Sequence, residues 1–523
     1  ICMKRNRFNF IFVGIIFFIA AVFVINTRDY FSIENAFSYE KKTGSSEINE
    51  FLPQESNIQD DESLNFSLRD VIELALLNSL DIQIAKFNVY ISRTSLRDAV
   101  SIFDSFLNLS TDFTKNKKMS ASISAGNENI EKNYSMGIEK KTSTGTNISF
   151  DLTESKNKSD SGLNTLNPYH ESLGEISIVQ SLGKNFFGVA DRSKIKVTKI
   201  DIENSEFTSL DDIEDVLYKV EKAYWNLVLM NEKLFIQEDM LIEGQKLYEI
   251  YKSKHSLGLA ELTDLLAIEA LIYIYQSNVD IANLERVTAK NDLLVLINNS
   301  DFRKNINVKD DLACLVNKVD LDHALIKAVN SRRDYKRIKN ILKKNDIEIV
   351  VKKNALWPEI DLEASLTKNN IDSKFRSSWE ELGERNNDEL FFKLTVKMPL
   401  ENNKAKADLD KINFQKSRAL IDFKRIEIDI LQDINNKVNR VNTMENQVNL
   451  FKSIVAVHKK KLDIEIKRIN SGRSNSDTLI RYEEDLLNAR LSLANNLFNY
   501  RISNLDLELA QNLLLDKYWK GEL

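Results

Sequence analysis

The feature that most constrains this chain is a proline-free stretch from Asp191 to about Leu257, roughly 67 residues. Apolar residues recur along it at helical spacing: Ile213, Val216, Val220, Tyr224 and Leu227, then Leu234, Leu241, Leu247 and Tyr251. That pattern predicts one helix with a continuous apolar stripe. At 1.5 Å per residue it is about 100 Å long, several times the diameter of an ordinary domain. The mean globular helix has about 11–12 residues, so this one belongs in a long coiled coil or helical array. Gly258 offers a turn after it, and a return helix is expected from about Leu262 to Asn298.

What precedes the long helix has two different periods. Ser67-Leu68-Arg69-Asp70 caps a helix expected to run to about Phe103, with Val71, Leu74, Ala75, Ile82 and Ala85 on one face. Between Asp104 and Gly188 the period falls to two. Leu107, Leu109 and Phe113 alternate with Asn108, Ser110 and Asp112, and Ile148, Phe150 and Leu152 with Asn147, Ser149 and Asp151. Ile176 and Ile178 alternate with Glu175 and Ser177, while Met119 to Ala125 and Tyr134 to Ile138 are weaker strand candidates. These are strands with one apolar and one polar face.

The chain then repeats itself. A shift of 253 residues lays Leu68 on Leu321, Ala75 on Ala328, Leu107 on Ile360 and Leu109 on Leu362. A helix is expected from Leu321 to Trp357, then strands alternating through Ile360, Leu362, Ala364 and Leu366 and through Phe392, Leu394, Val396 and Met398. A second long helix follows from about Asn402 to Ser471, then Gly472 and a return helix from Ser476 to about Asn512. Gly472 lies 214 residues after Gly258, so the first half carries 39 more residues in its strand region. Such a repeat decides the fold class: each half is short helix, strands, long helix, turn, short helix. Two short helices end to end match the length of one long helix, which gives a cylinder wall of even height.

Composition narrows the function classes. Net charge is -6 with both signs interspersed, so there is no nucleic-acid footprint. Cys2 and Cys314 are the only cysteines, which excludes a disulfide framework or a cysteine-based metal cluster. His170, His255, His323 and His458 are isolated, without metal-ligand spacing, so neither a metal site nor a cofactor is expected. Leu182-Gly183-Lys184 lacks the rest of a phosphate loop, and no enzyme chemistry is expected.

The N-terminus reads as an export signal. Lys4, Arg5 and Arg7 precede an apolar run from Phe8 to Ile25, and Ala36-Phe37-Ser38 is a candidate cleavage site. The alternative is a permanent single-span anchor. Residues 1–38 are assigned to the signal and 39–66 to a flexible polar linker. The first repeat covers 67–298, a link 299–320, the second repeat 321–513 and a tail 514–523. At most seven strands can be counted, fewer than a single-chain outer-membrane barrel needs, and a sheet in hydrocarbon must close. Several chains would therefore share one barrel.

This order of elements resembles the TolC-type outer membrane efflux protein family from Ser67 to Asn512. Leu68-Arg-Asp-Val-Ile-Glu-Leu-Ala-Leu-Leu-Asn78 is similar to its opening helix. Gln180-Ser-Leu-Gly183 is similar to the Gln-Pro-Leu step out of the barrel, with Ser181 in place of proline, and Met398-Pro-Leu-Glu-Asn-Asn-Lys-Ala-Lys-Ala407 is its counterpart. Gly258-Leu-Ala-Glu-Leu-Thr-Asp-Leu-Leu-Ala267 and Gly472-Arg-Ser-Asn-Ser-Asp-Thr-Leu479 resemble the two helix-hairpin tips. The resemblance implies a homotrimer in the cell outer membrane: an α+β membrane protein whose periplasmic α-helical tunnel joins a 12-stranded β-barrel, four strands from each chain. It also implies a periplasmic adaptor and an inner-membrane RND or ABC transporter as partners, in a tripartite pump or a type I secretion system.

The residues of interest lie at the tips. Asp264 and Asp477 follow the tip glycines by a few residues, early in the return helices. Each can act locally, as a carboxylate in a first helical turn, with Ser474 and Asp477 resembling a capping box. Under threefold symmetry each can also form an acidic ring that constricts a passage, held by partners such as Arg473 or Lys254. Where the family often carries a second acid, this chain has Ile480. Gly258 and Gly472 provide the turns, and Leu257, Leu259 and Arg473 beside them are the expected adaptor contacts. The reading from a different class is a periplasmic coiled-coil adaptor held by an N-terminal anchor.

Overall fold

The computed structural model describes residues 64–117, 128–160, 165–303, 306–313, 315–383, 387–471, 473 and 475–519. The signal, nearly all of the 39–66 linker, the Met119–Ala125 candidate, Gly472 and Ser474 lie outside the described residues.

In chain order the elements are β1 (Leu64–Phe66), α1 (Leu68–Asn78), α2 (Leu80–Val100), β2 (Ser105–Asn116), β3 (Asn129–Lys141), β4 (Thr146–Ser159), β5 (Tyr169–Ser181), α3 (Val189–Ser256) and α4 (Leu262–Leu296). The second half follows with β6 (Ile306–Val308), α5 (Leu321–Ser331), α6 (Arg333–Asn354), β7 (Glu359–Asp372), α7 (Phe375–Glu380), β8 (Asp388–Lys397), α8 (Asn403–Asn470), α9 (Ser476–Ala510) and α10 (Leu514–Tyr518). The long helices α3 and α8 have 68 residues each and the return helices α4 and α9 have 35 each. The duplication inferred from the sequence is therefore present in the fold.

Two compact units result. The strand unit comprises Val100–Lys194 with Val351–Lys406, and the remaining described residues form the helical unit.

In the strand unit one antiparallel sheet runs β2-β3-β4-β5-β7-β8. That is six strands, where the resemblance implies four. The difference lies in the first half's extra residues: β3 and β4 form an added hairpin between β2 and β5, which answer to β7 and β8 of the second half. Within the described residues the sheet is open, since β2 and β8 each pair on one side only. Residues directly opposite in adjacent strands share a face. Leu107, Ile138, Phe150, Ile176, Leu366 and Leu390 therefore form one apolar row across all six strands. The other face carries Asn108, Gly137, Asp151, Glu175, Thr367 and Glu389 in the same register. The apolar face is bare in places, with Leu107 57% and Leu390 67% exposed.

The turns leaving the sheet are tight. Leu182 and Gly183 donate to the Ile360 carbonyl, and a Cβ on Gly183 would lie 2.1 Å from the Pro358 oxygen, so only glycine fits. Ser181 donates to Asp361 at 2.8 Å. Asn185, with φ 63°, accepts from the Ala190 N–H and so satisfies one free amide at the start of α3.

In the helical unit, Ser67 caps α1 in a capping box with Asp70, as expected. The single helices expected to reach Phe103 and Trp357 are each broken in two. Ser79 (ψ 126°) and Arg332 (ψ 124°) are extended, at positions 253 residues apart, so the break is itself repeated. Asn78-Ser79 and Asn330-Ser331 are poor helix formers, and Arg332 is held by Asp334 at 2.6 Å and Asp433 at 3.0 Å. The supposed linker ends in order: β1 pairs in parallel with β6, inside the inter-repeat link.

Val71, Ile213, Leu217, Tyr224, Leu293, Ile434 and Val441 form the core of this unit. Beside it, Glu214 is fully buried and accepts from Arg333 (2.5 Å), Asn512 (2.7 Å) and the Leu514 N–H (2.7 Å). A buried carboxylate costs least when paired and hydrogen-bonded, as here.

Candidate functional site

The tips are where the structure gathers charged and strained groups within one unit. At the end of α3 the Gly258 N–H donates to the His255 carbonyl (2.9 Å) and the Leu259 N–H to the Lys254 carbonyl (2.8 Å). This is a Schellman turn, and Gly258 takes the left-handed φ of 71° that it needs. Such a turn often packs its last residue back on the helix. Here Leu259 stays 73% exposed and Leu257 70%, so both apolar side chains face outward. At the second tip the Arg473 N–H donates to the Arg468 carbonyl at 2.9 Å, the same six-residue closure, and the Arg473 side chain is exposed.

Asp264 does two things at once. One oxygen accepts from the Glu261 N–H at 3.3 Å, half of a capping box at the start of α4. The other accepts from the Ser476 hydroxyl at 2.5 Å, which ties the first hairpin to the start of α9. Lys254 makes a second tie, donating to the Ile469 carbonyl at 3.2 Å with its ammonium 5.4 Å from the Tyr251 ring centre. Among the described residues neither Lys254 nor Arg473 pairs with Asp264 or Asp477. The cap of α9 is Asn475, which accepts from the Thr478 N–H at 3.1 Å; the expected Ser474–Asp477 box involves a residue outside the described ones. Asp477 is exposed and has no side-chain partner among the described residues.

Ile480 packs with Leu247, Tyr251, Ile268, Ile469 and Leu479 in a small apolar cluster under the tips. A carboxylate at this half-buried position would lose part of its hydration to the cluster.

Sequence reasoning missed Glu483. It lies in the run Glu483-Glu484-Asp485, yet it is 5% exposed and one carboxylate oxygen has no hydrogen-bond partner. Burial, with the Glu243 charge adding to it, pushes its pKa up to about 7. The Tyr275 hydroxyl is also buried without a partner, and its pKa is raised by burial and by Glu483 and Glu484. Tyr251 is shifted upward by burial and then by Asp264, Asp477 and Glu483, so three acids converge on this end of the unit. Among the described residues no group of His, Cys, Asp and Glu could hold a metal ion.

The arrangement is a pair of helix-hairpin ends. It offers two hairpin ends, linked through few polar ties, with apolar side chains outward and acids nearby. No family model and no curated protein matches this sequence. Solved structures do. A CusC structure described for transmembrane channel formation is 15% identical, with TM-score 0.63, covering 88% of this chain and 96% of that one. The Campylobacter jejuni CmeC outer membrane channel is 14% identical, with TM-score 0.61 and coverage of 88% and 91%.

The chain has the fold of these outer membrane channels.

The open state of the Neisseria gonorrhoeae MtrE outer membrane channel shares this fold too, at 16% identity, TM-score 0.61 and coverage of 87% and 94%. At such identities the likeness is one of fold and assigns no role to a side chain.

Proposed function

We propose that this protein is a trimeric outer-membrane exit duct that passes substrates across the periplasm and outer membrane, as part of a tripartite efflux pump or a type I secretion system. The observation that carries this reading is the sheet. All six strands place apolar residues on one face, bare in places, and polar residues on the other, which suits hydrocarbon outside and water inside. An open sheet cannot remain in a bilayer, so copies of the chain must complete it.

The helices support the same reading. Phe414 (74% exposed), Ile421, Val457, Tyr273 and Leu284 are large apolar side chains left bare on α8 and α4. α4 alone among the described helices is long and apolar enough to cross a membrane, with 22% of its most apolar window buried. Neighbouring copies would cover these faces by helix packing. The chain spans most of the length of the channels it resembles.

In this reading residues 1–38 are an export signal and the two repeats form barrel and periplasmic tunnel. Leu257, Gly258, Leu259, Gly472 and Arg473 meet a periplasmic adaptor, which joins the duct to an RND or ABC transporter. Asp264, Asp477 and Arg473 lie at the constriction, where threefold symmetry turns each into a ring. The duct itself is passive. The test is fractionation of cells expressing the full chain, followed by planar-bilayer recording of the purified protein. Outer-membrane trimers with single-channel conductance are expected; an inner-membrane monomer without conductance refutes the reading and favours an anchored coiled-coil adaptor.

A further inference from the structure

We infer that the added β3–β4 hairpin is a part of the barrel wall, and that three copies joined edge to edge, β8 of one on β2 of the next, enclose 18 strands. The inference rests on the trimeric duct proposed above.

The hairpin could in principle fold away from the sheet as a flap. Its pairing says otherwise. β3 pairs with β2 over its whole length, from Ser105 opposite Lys140 to Asn116 opposite Asn129, and β4 pairs with β5 from Thr146 opposite Gln180 to Asn157 opposite Tyr169. Both hairpin strands also obey the two-faced pattern of the rest. Met136 and Ile138 of β3 and Ile148, Phe150 and Leu152 of β4 fall on the apolar face, in register with Leu107 and Ile176 of the flanking strands. Tyr134, Met136 and Ile138 are all exposed, so this apolar surface lacks a cover in the single chain. A flap in water has no use for such a face; a wall against hydrocarbon requires it.

Strand parity then decides what the free edges can do. Neighbouring strands are antiparallel throughout and each chain supplies six, so β8 runs opposite to β2. A second copy therefore meets β8 with an antiparallel partner, the arrangement of outer-membrane barrels. Both edge strands are exposed along their length, and the apolar row reaches each of them, at Leu107 and at Leu390. Three copies of six strands make 18. Because barrel diameter grows roughly linearly with strand number, such a wall is about one and a half times as wide as one of 12 strands. The added hairpin thus widens the outer-membrane segment.

Electron cryo-microscopy of the purified full chain in nanodiscs tests this directly. The expected image is a trimer with 18 wall strands that include Asn129–Ser159. A trimer with 12 wall strands and the hairpin outside overturns the inference and leaves the duct standing, whereas a monomer overturns both. A second test needs no image. With Cys2 and Cys314 replaced by serine, Leu107→Cys and Leu109→Cys are each combined with Leu390→Cys, Phe392→Cys, Leu394→Cys or Val396→Cys, and the cells are oxidised. At least one pair should yield covalent trimers that reducing agent dissolves. If every pair stays monomeric while the protein purifies as a trimer, β2 and β8 do not meet and the inference fails.

Discussion

Neutralising Glu483 should remove most of a pH dependence from the tip-side helices. Its ordinary pKa of 4.5 rises to about 7 in the fold, because burial disfavours the charged form and Glu243 adds repulsion. Below pH 4.5 the group is protonated both folded and unfolded and costs nothing. Between 4.5 and about 7 the folded chain holds the proton more tightly, so stability falls as pH rises. Above 7 a buried charge persists, at a cost of about 3 kcal/mol per chain at 1.36 kcal/mol per pH unit. Glu483→Gln keeps the size and loses the charge. For a chain of this length about 3 kcal/mol corresponds to about 3 °C in the unfolding midpoint. The assay is the thermal unfolding midpoint of wild type and variant, side by side, from pH 4.5 to 8.5. The variant should match wild type at pH 4.5 and exceed it by that margin at pH 8. Parallel curves across the range would show that Glu483 is solvated or paired in the assembled protein, and the reasoning would be wrong.

Other expected outcomes follow from the same geometry. Glu214→Ala leaves Arg333 buried without its main partner, and should destabilise the helical unit by about 3–5 kcal/mol in denaturant unfolding, with Glu214→Gln intermediate. Ser476→Ala removes the donor to Asp264; if that tie holds the tips closed, losing about 1.4 kcal/mol shifts the opening equilibrium tenfold, read as open probability in bilayer recordings. Gly258→Ala meets no neighbour within 4 Å but must adopt φ near 71°, so about 1 kcal/mol of local strain should appear as faster amide exchange at the tip. The polar face of the sheet carries Asp112, Glu139, Asp151, Glu175, Asp361, Glu363 and Glu389 against Lys141, Lys393 and Lys397, so reversal potentials in a salt gradient should report a preference for cations.

The resemblance in sequence pattern and the likeness in fold agree on architecture while differing on detail that matters. Period-two alternation identified β2, β4, β5, β7 and β8, and even the faint Tyr134–Ile138 signal proved to be β3. Alternation marks a strand without naming its partner, so by itself it does not say how the extra first-half residues are arranged. Pairing across six strands does. The helix breaks at Ser79 and Arg332 escaped notice for another reason: a single extended residue leaves the apolar period on either side almost intact. The tip acids show the same limit. Asp264 was recognisable as a first-turn carboxylate, but its bond to Ser476 joins residues 212 apart in the chain.

Periodicity, proline scarcity and a repeat were enough to dictate two long helical hairpins, strands between them and a turn at Gly258. These are local properties, set by backbone conformation and by which face of an element is apolar. Tertiary structure alone decided that the added hairpin joins the sheet, that Glu483 is buried while Asp477 is exposed, and that Asp264 rather than Asp477 ties the tips together. Each of those outcomes depends on which distant side chains pack alongside. A single strand or helix carries no record of its neighbours beyond the face it offers them.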